Sequence, residues 1–347
     1  MKKYFPNVTI IILNWNGWKD TIECLESIYQ INYSNYQVIL VDNASSDDSI
    51  ERVKEYCKGK LQVKSEFFNY THKPINFYNF SENEFKLFNE IIGNGKVTFP
   101  SSIIIIENDS NYGFAGGNNI GIKFALKNFK SDYILLLNND TVVETNFLAE
   151  LVKIGQKDRN TGFLGPKTYY YDYEGRKDVI SFAGGFLNSY TGIPRVLGYQ
   201  EMDNGQYNRI NKVDYVEGSC ILITKEVFEK IGFLDTNYFA YWEEADLCKR
   251  GFKAGYKSLY IPKSKVWHKV STSFNSPIKL YYYSRNKIRF MKKNANMIEY
   301  ISFLFYFFGY GFWITNFCYF CTALKERNGF EMNKNFIKGV FKGITNY

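Results

Sequence analysis

Four short apolar runs dominate the first 140 residues, at 8–13, 38–41, 103–106 and 133–137. They are continuous rather than alternating, as in strands covered on both faces. Helical stretches separate them, at 19–30, 47–58 and 117–129, and Ser45-Ser46-Asp47-Asp48 supplies N-cap chemistry for the second. Alternating strand and helix predicts a parallel, doubly wound sheet. Residues 59–101 mix Asn, Phe and Lys without a period and read as an insertion between the second and third strands, with His72 a surface histidine. From 161 to 224 the pattern favours β structure, with turns at Gly184-Gly185, Thr191-Gly192 and Asn204-Gly205. A helix from Glu243, a strand at 256–261 and a basic helix at 278–293 follow.

The predicted strands all end in oxygen-rich side chains: Asn14 and Asn16; Asp42 and Asn43; Glu107, Asn108 and Asp109; Asn138, Asn139 and Asp140. A single Asp after a strand is ordinary turn chemistry. Four such ends together point to a site for a polar ligand with a cation, because open α/β sheets bind ligands outside the carboxyl ends of their strands.

Composition narrows the class. With 347 residues, 45% apolar, the chain can bury a large core and is not a disordered segment. Its net charge of +8 fits anionic partners without choosing among them. Six scattered cysteines form no disulfide framework, and the one CxxC, Cys318 and Cys321, lies in an apolar run as a buried or lipid-facing pair. The apolar stretch after Met1 is too short for a signal peptide and reads as the first strand.

Three segments carry candidate chemistry. LLLNNDT (135–141) projects Asp140 from a strand end, where a hard cation could sit with positions left for phosphates. YWEEADLCKRG (241–251) offers Glu243 or Glu244 as a general base; the plainer alternative is an acidic helix start with an Asp246–Arg250 ion pair. Val266-Trp267-His268 places a histidine after a strand, where a structural role competes with a ligand role.

Together these segments resemble a known family. Asp42, GFAGGNN (113–119), Asp140, Glu243-Glu244 and His268 stand in the order found in family-two glycosyltransferases of the GT-A fold. VEGSCILITKEVFEKIGFLDTNYFAYWEEADLCKRGFKAGYKSLYIPKSKVWH closely resembles that family's rhamnosyltransferase-like branch, as do NYGFAGGNNIGI and YYYSRN (281–286). The resemblance covers about residues 7–295 apart from the insertion. It implies a mixed, GT-A-like doubly wound sheet with a Rossmann-like nucleotide-binding half and an acceptor half. The implied enzyme is an inverting transferase using a nucleoside-diphosphate sugar, with Mg2+ or Mn2+ as cofactor. Residue by residue, it implies that Asn14 and Asp42 line the nucleoside pocket. Gly117, Asn118, Asn119 and Asn139 join them near the donor, Asp140 and His268 hold the metal, and Glu244 is the base. The sequence departs from the family pattern at Asn138, where the first acid of the metal motif is missing, and at Glu244, where the usual residue is Asp.

From 300 to 324 no residue is charged, and basic residues flank the run on both sides. The run is long enough to cross a bilayer, but two basic flanks argue against a single span, and Gly309 and Gly311 could divide it. Lys334, Lys338 and Lys342 share one helical face, with Ile337, Val340, Phe341 and Ile344 largely opposite, a pattern suited to anionic lipid; a buried oligomer contact is the alternative. The chain therefore divides into a catalytic region at 1–295 and a membrane-associated helical region at 296–347. The expected location is the cytoplasmic face of the cell membrane, with a glycan or lipid-linked acceptor in cell-surface polysaccharide or glycolipid assembly. A nucleotidyltransferase would need a basic Gly-rich loop where NWNGWKD stands. A nucleic-acid partner is not expected, since the basic residues gather around the apolar run. A non-catalytic sugar-nucleotide-binding scaffold is the remaining alternative.

Overall fold

The computed structural model describes residues 5–62, 65, 74–84, 102–270, 277–325 and 329–345; His72 lies outside them. The first half runs β1 (Val8–Asn14), α1 (Trp18–Ile28), β2 (Tyr36–Asp42), α2 (Ser49–Cys57), β3 (Asn76–Ser81), β4 (Ser102–Glu107), α3 (Gly113–Asn128), β5 (Tyr133–Asn138) and β6 (Thr141–Val143). The four expected strands are all present. Part of the segment read as an insertion is also a strand: β3 pairs in parallel with β4 at the sheet edge, half-exposed and without a continuous apolar run to announce it.

After α4 (Phe147–Gly155) the chain turns mostly to β structure. β7 (Thr161–Tyr170), β8 (Val179–Phe182), β9 (Gly185–Asn188), β10 (Ile193–Val196), β11 (Glu201–Met202), β12 (Asn211–Val213) and β13 (Cys220–Thr224) precede α5 (Lys225–Ile231), α6 (Glu243–Lys253) and β14 (Lys257–His268). The main path through the sheet is β11-β8-β7-β13-β5-β1-β2-β4-β3. The β5-β1-β2-β4-β3 half of this path is parallel, and β13 joins β5 and β7 antiparallel, so the sheet is mixed.

Register sets the site. Asn14 is level with Asp42, Asp42 with Glu107, and Leu13 with Asn138, so the oxygen-rich strand ends share one sheet edge. Alternate residues of β1 feed two cores: Ile10 and Ile12 pack with α1, α2 and α4, while Ile11 packs with α3 and the elements after β7. Each fully buried side chain of this kind contributes roughly 1.5–3 kcal/mol. Gly121 lets α3 lie close on β1, since a Cβ there would stand 2.8 Å from Ile11 Cγ2.

The remainder is helical: α7 (Pro277–Asn294), α8 (Met297–Tyr306), a π-helical turn at Phe307–Gly311, α9 (Phe312–Lys325) and α10 (Gly329–Thr345). The glycines do not break the apolar run, and 297–322 is one helix of 26 residues, little of it buried. α10 folds back against it and against α7: Asn333 Nδ2 donates to Asn316 O at 3.3 Å, and Phe336 stacks on Phe312. The apolar side of α10 is split. Met332, Phe336 and Val340 are buried within the chain, whereas Phe330, Ile337, Phe341 and Ile344 remain exposed.

Candidate active site

At the β1 and β2 ends, the Asp42 carboxylate accepts three hydrogen bonds. Its Oδ1 takes hydrogen bonds from Asn14 Nδ2 at 2.7 Å and Ser45 Oγ at 2.6 Å, and its Oδ2 one from Ser45 N at 2.9 Å. Asn14 Oδ1 accepts from Thr21 Oγ1 and from Asn139 Nδ2, which also donates to Gly17 O and Thr21 Oγ1. Asn14, Asp42 and Asn139 thus form one network across three strand ends.

The glycine-asparagine motif opens α3. A Cβ on Gly117 would lie 2.5 Å from Leu13 Cδ1, so the glycine serves close packing of α3 on β1. Asn118 Nδ2 donates to Phe114 O, and Asn119 exchanges two hydrogen bonds with the Leu234 backbone. The Asn119 amide therefore ties α3 to the segment before α6.

Asp140 and His268 come together through strand pairing. β14 runs antiparallel to β6 with His268 level with Thr141, bringing His268 Nε2 to 3.1 Å from Asp140 Oδ1. Burial opposes the imidazolium, but the carboxylate outweighs it and raises the His268 pKa. Burial likewise opposes the Asp140 carboxylate, and His268 outweighs it, lowering that pKa. Asp140 Oδ1 is buried and accepts no well-formed hydrogen bond, and His268 Nδ1 has no partner among the described residues. Neighbouring ligands on an octahedral cation, each at about 2.0–2.1 Å, stand about 2.9 Å apart, so this pair fits two ligands of one hard ion. Among the described residues no third His, Cys, Asp or Glu stands with this pair.

Asp140 and His268 line a cavity of about 300 Å³ together with Asn138, Glu217, Tyr241, Glu243, Glu244 and Lys279. A second cavity of about 230 Å³ adjoins it, walled by Tyr170, Phe182, Tyr199, Tyr215, Trp242 and Tyr283. Glu217, Tyr241, Glu244 and Val270 belong to both. Glu243 is buried and Glu244 half-buried, and each has an Oε2 without a hydrogen-bond partner. Burial raises the Glu244 pKa to about 7, with Glu217 adding to the shift. Burial, and then Glu244 itself, pushes the Glu243 carboxyl well above the usual carboxylate range. Asp246 instead makes the expected ion pair with Arg250 at 2.8 Å.

The turn before α6 is strained: Phe239, Tyr241 and Trp242 have φ of 65°, 69° and 77°. Such left-handed conformations cost roughly 1–3 kcal/mol each for non-glycine residues and persist only where the surroundings enforce them. Glu217 and Lys279 escaped the reading of the sequence because neither sits at a strand end or in a paired motif; the VEGSC run that contains Glu217 was the available signal.

A family model described as Glycosyl transferase family 2 matches residues 9–83, and one described as Glycosyltransferase like family 2 matches residues 95–291. The low-salt glycan biosynthesis hexosyltransferase Agl10 of Haloferax volcanii is 27% identical over 55% of this chain and 60% of its own. The rhamnosyltransferase WbbL of Escherichia coli is 29% identical over 45% of this chain and 61% of its own. The N-acetylglucosaminyl-diphospho-decaprenol L-rhamnosyltransferase of Mycobacterium tuberculosis is 27% identical over 40% of this chain and 47% of its own. The chain thus spans between 47% and 61% of the length of these relatives. Among solved structures, the mannosyltransferase of Pyrobaculum calidifontis in complex with GDP-Man and Mn2+ superposes with a TM-score of 0.55 at 13% identity, over 99% of this chain and 88% of that one. At that identity the likeness concerns the fold.

Proposed function

The chain belongs to glycosyltransferase family 2, and on that ground we propose that it is a metal-dependent, inverting enzyme moving one sugar from a nucleoside-diphosphate donor to an acceptor hydroxyl. The observation that carries this reading is the position of Glu244 on the shared wall of two cavities. One contains the Asp140–His268 pair and suits the donor's diphosphate. The other is ringed by aromatic side chains and suits an acceptor sugar.

Asp140 and His268 hold the cation in this scheme. A bound Mg2+ or Mn2+ supplies positive charge against the diphosphate leaving group. Glu244 takes the proton of the acceptor hydroxyl, and that oxygen attacks the anomeric carbon from the face opposite the diphosphate. The bond from the anomeric carbon to the diphosphate oxygen breaks, its electron pair leaves with the nucleoside diphosphate, and the configuration inverts. Asn14, Asp42, Gly117, Asn118, Asn119 and Asn139 form the donor's nucleoside and sugar side, with Asn119 and Gly117 contributing through the shape they give α3.

Rhamnose on a dTDP or UDP carrier is the donor we favour, from the relatives' names and the motif run. A lipid-linked acceptor fits the helical region. α7 and α10, which carry the basic residues flanking the apolar helix, pack on each other. Basic residues from before and after the run are thereby gathered on neighbouring helices, which supports a helix that enters the membrane over one that spans it, at the cytoplasmic face.

Donor hydrolysis tests the reading. Purified chain is screened against a nucleotide-sugar panel with Mn2+, Mg2+ or EDTA. Metal-dependent release of one nucleoside diphosphate is the expected result; no turnover and no binding of any donor would discard it.

A further inference from the structure

We propose that Asn286 is a positioning residue for the transfer, its amide holding the strained turn that sets Glu244 between the two cavities. This rests on reading Glu244 as the base.

Asn286 is fully buried in α7, facing the turn before α6. Its Nδ2 donates to three consecutive-region carbonyls: Tyr238 O at 2.8 Å, Ala240 O at 2.7 Å and Tyr241 O at 2.9 Å. Those carbonyls belong to the stretch in which Phe239, Tyr241 and Trp242 take left-handed backbone conformations. An amide NH2 has only two protons, so three acceptors within reach mean that the turn is curled around this one group. Nor is the amide free to rotate, because Arg285 Nε donates to Asn286 Oδ1 at 2.8 Å.

The neighbours on α7 reinforce it. Arg285 Nη2 donates to Asn237 O and Tyr238 O, and Arg289 Nη1 to Asn237 O. Tyr282 stacks on Phe239 with ring centroids 4.9 Å apart. Past the base, Asp246 is buried and accepts from Lys293 Nζ and Asn294 Nδ2, again from α7. One helix thus grips the chain on both sides of Glu243-Glu244, while the two glutamates themselves keep unpartnered oxygens. This is the arrangement a base needs, with its backbone fixed by one set of groups and its carboxylate left for substrate. Asn286 makes no contact with the cavities, so its effect passes through the turn.

The test uses the full chain, with Asn286→Ala and the near-isosteric Asn286→Asp, which loses the donating NH2. Melting, calorimetric binding of dTDP with Mn2+, and steady-state turnover of the nucleotide sugar that the wild type consumes are compared. The expected result is a kcat at least 30-fold lower, with donor KM and dTDP affinity within threefold of wild type. Turnover within threefold of wild type overturns the proposal, as does a loss of kcat matched by an equal loss of dTDP binding. If neither variant folds, Asn286 holds the fold rather than the base, and the proposal is overturned. A wild-type chain that turns over no donor sinks the glycosyltransferase reading of Glu244 and this proposal with it; an active wild type with active variants sinks the proposal alone.

Discussion

Asp140 Oδ1 stands 3.1 Å from His268 Nε2 because antiparallel pairing sets His268 level with Thr141. The pair is short of hydrogen bonds and fits two ligands of one hard cation. His268→Ala and Asp140→Asn should each weaken Mn2+ binding, in the presence of dTDP, by at least the roughly 10–100-fold that loss of an outer-shell partner costs a metal site. Manganese paramagnetic resonance reads this directly. Full turnover in excess EDTA would remove the cation from the scheme.

Glu244 has its pKa raised to about 7 by burial. As a base it works deprotonated, so turnover should climb as pH rises through about 7 and level off above. Glu244→Gln should lower kcat by about 10²–10⁴-fold with donor binding retained. Stability carries the opposite sign. The folded pKa lies above the ordinary glutamate value of 4.5, so this group's favourable contribution is complete below that value and is lost as pH rises through about 7. The Gln variant should therefore melt above wild type at pH near 8 and lose that advantage toward pH 5, with a gap of order 1–3 kcal/mol. A gap independent of pH would contradict the burial argument.

Phe305, Trp313 and Phe317 are 77%, 64% and 68% exposed on the apolar helix. Replacing all three with Ser removes apolar area that the described residues leave largely uncovered. The variant should melt like wild type and fail to float with phosphatidylglycerol vesicles, which the wild type should join less well as salt rises. Equal flotation of the two proteins would assign membrane contact elsewhere.

A Cβ on Gly339 of α10 would lie 2.3 Å from Ser284 Oγ and 2.4 Å from Tyr281 O, so the helix meets α7 backbone to backbone. Gly339→Leu should destabilise the chain by about 1–3 kcal/mol or more, as overpacked contacts do. Because α7 also carries Asn286, turnover should fall with it. Calorimetric melting and donor hydrolysis read the two effects, and an unchanged melting temperature would mean that α10 does not bear on α7.

The first half of the fold was legible because its signal is local. Continuous apolar runs ending at Asn14, Asp42, Glu107 and Asn138 must become strands buried on both faces, and their shared direction follows from the intervening helices. β3 was not legible, since a half-exposed edge strand such as NFYNFS needs neither a continuous run nor strict alternation. Val340 was misplaced for a related reason. Helical periodicity groups it with Ile337 and Phe341, but packing on α7 and α9 turns it inward and leaves the others exposed.

By itself the sequence determined which residues are chemically able to act: the carboxylates at 140, 243 and 244, His268, and the amides at strand ends. Only the tertiary structure decided which of them meet. Asp140 finds His268 through the register of β6 and β14, Asn119 spends its amide on Leu234, and Asn286 reaches the turn before Glu244 from a helix that follows it in the chain. Local pattern encodes burial and periodicity; contacts between distant residues depend on strand register and helix packing, which are properties of the assembled core.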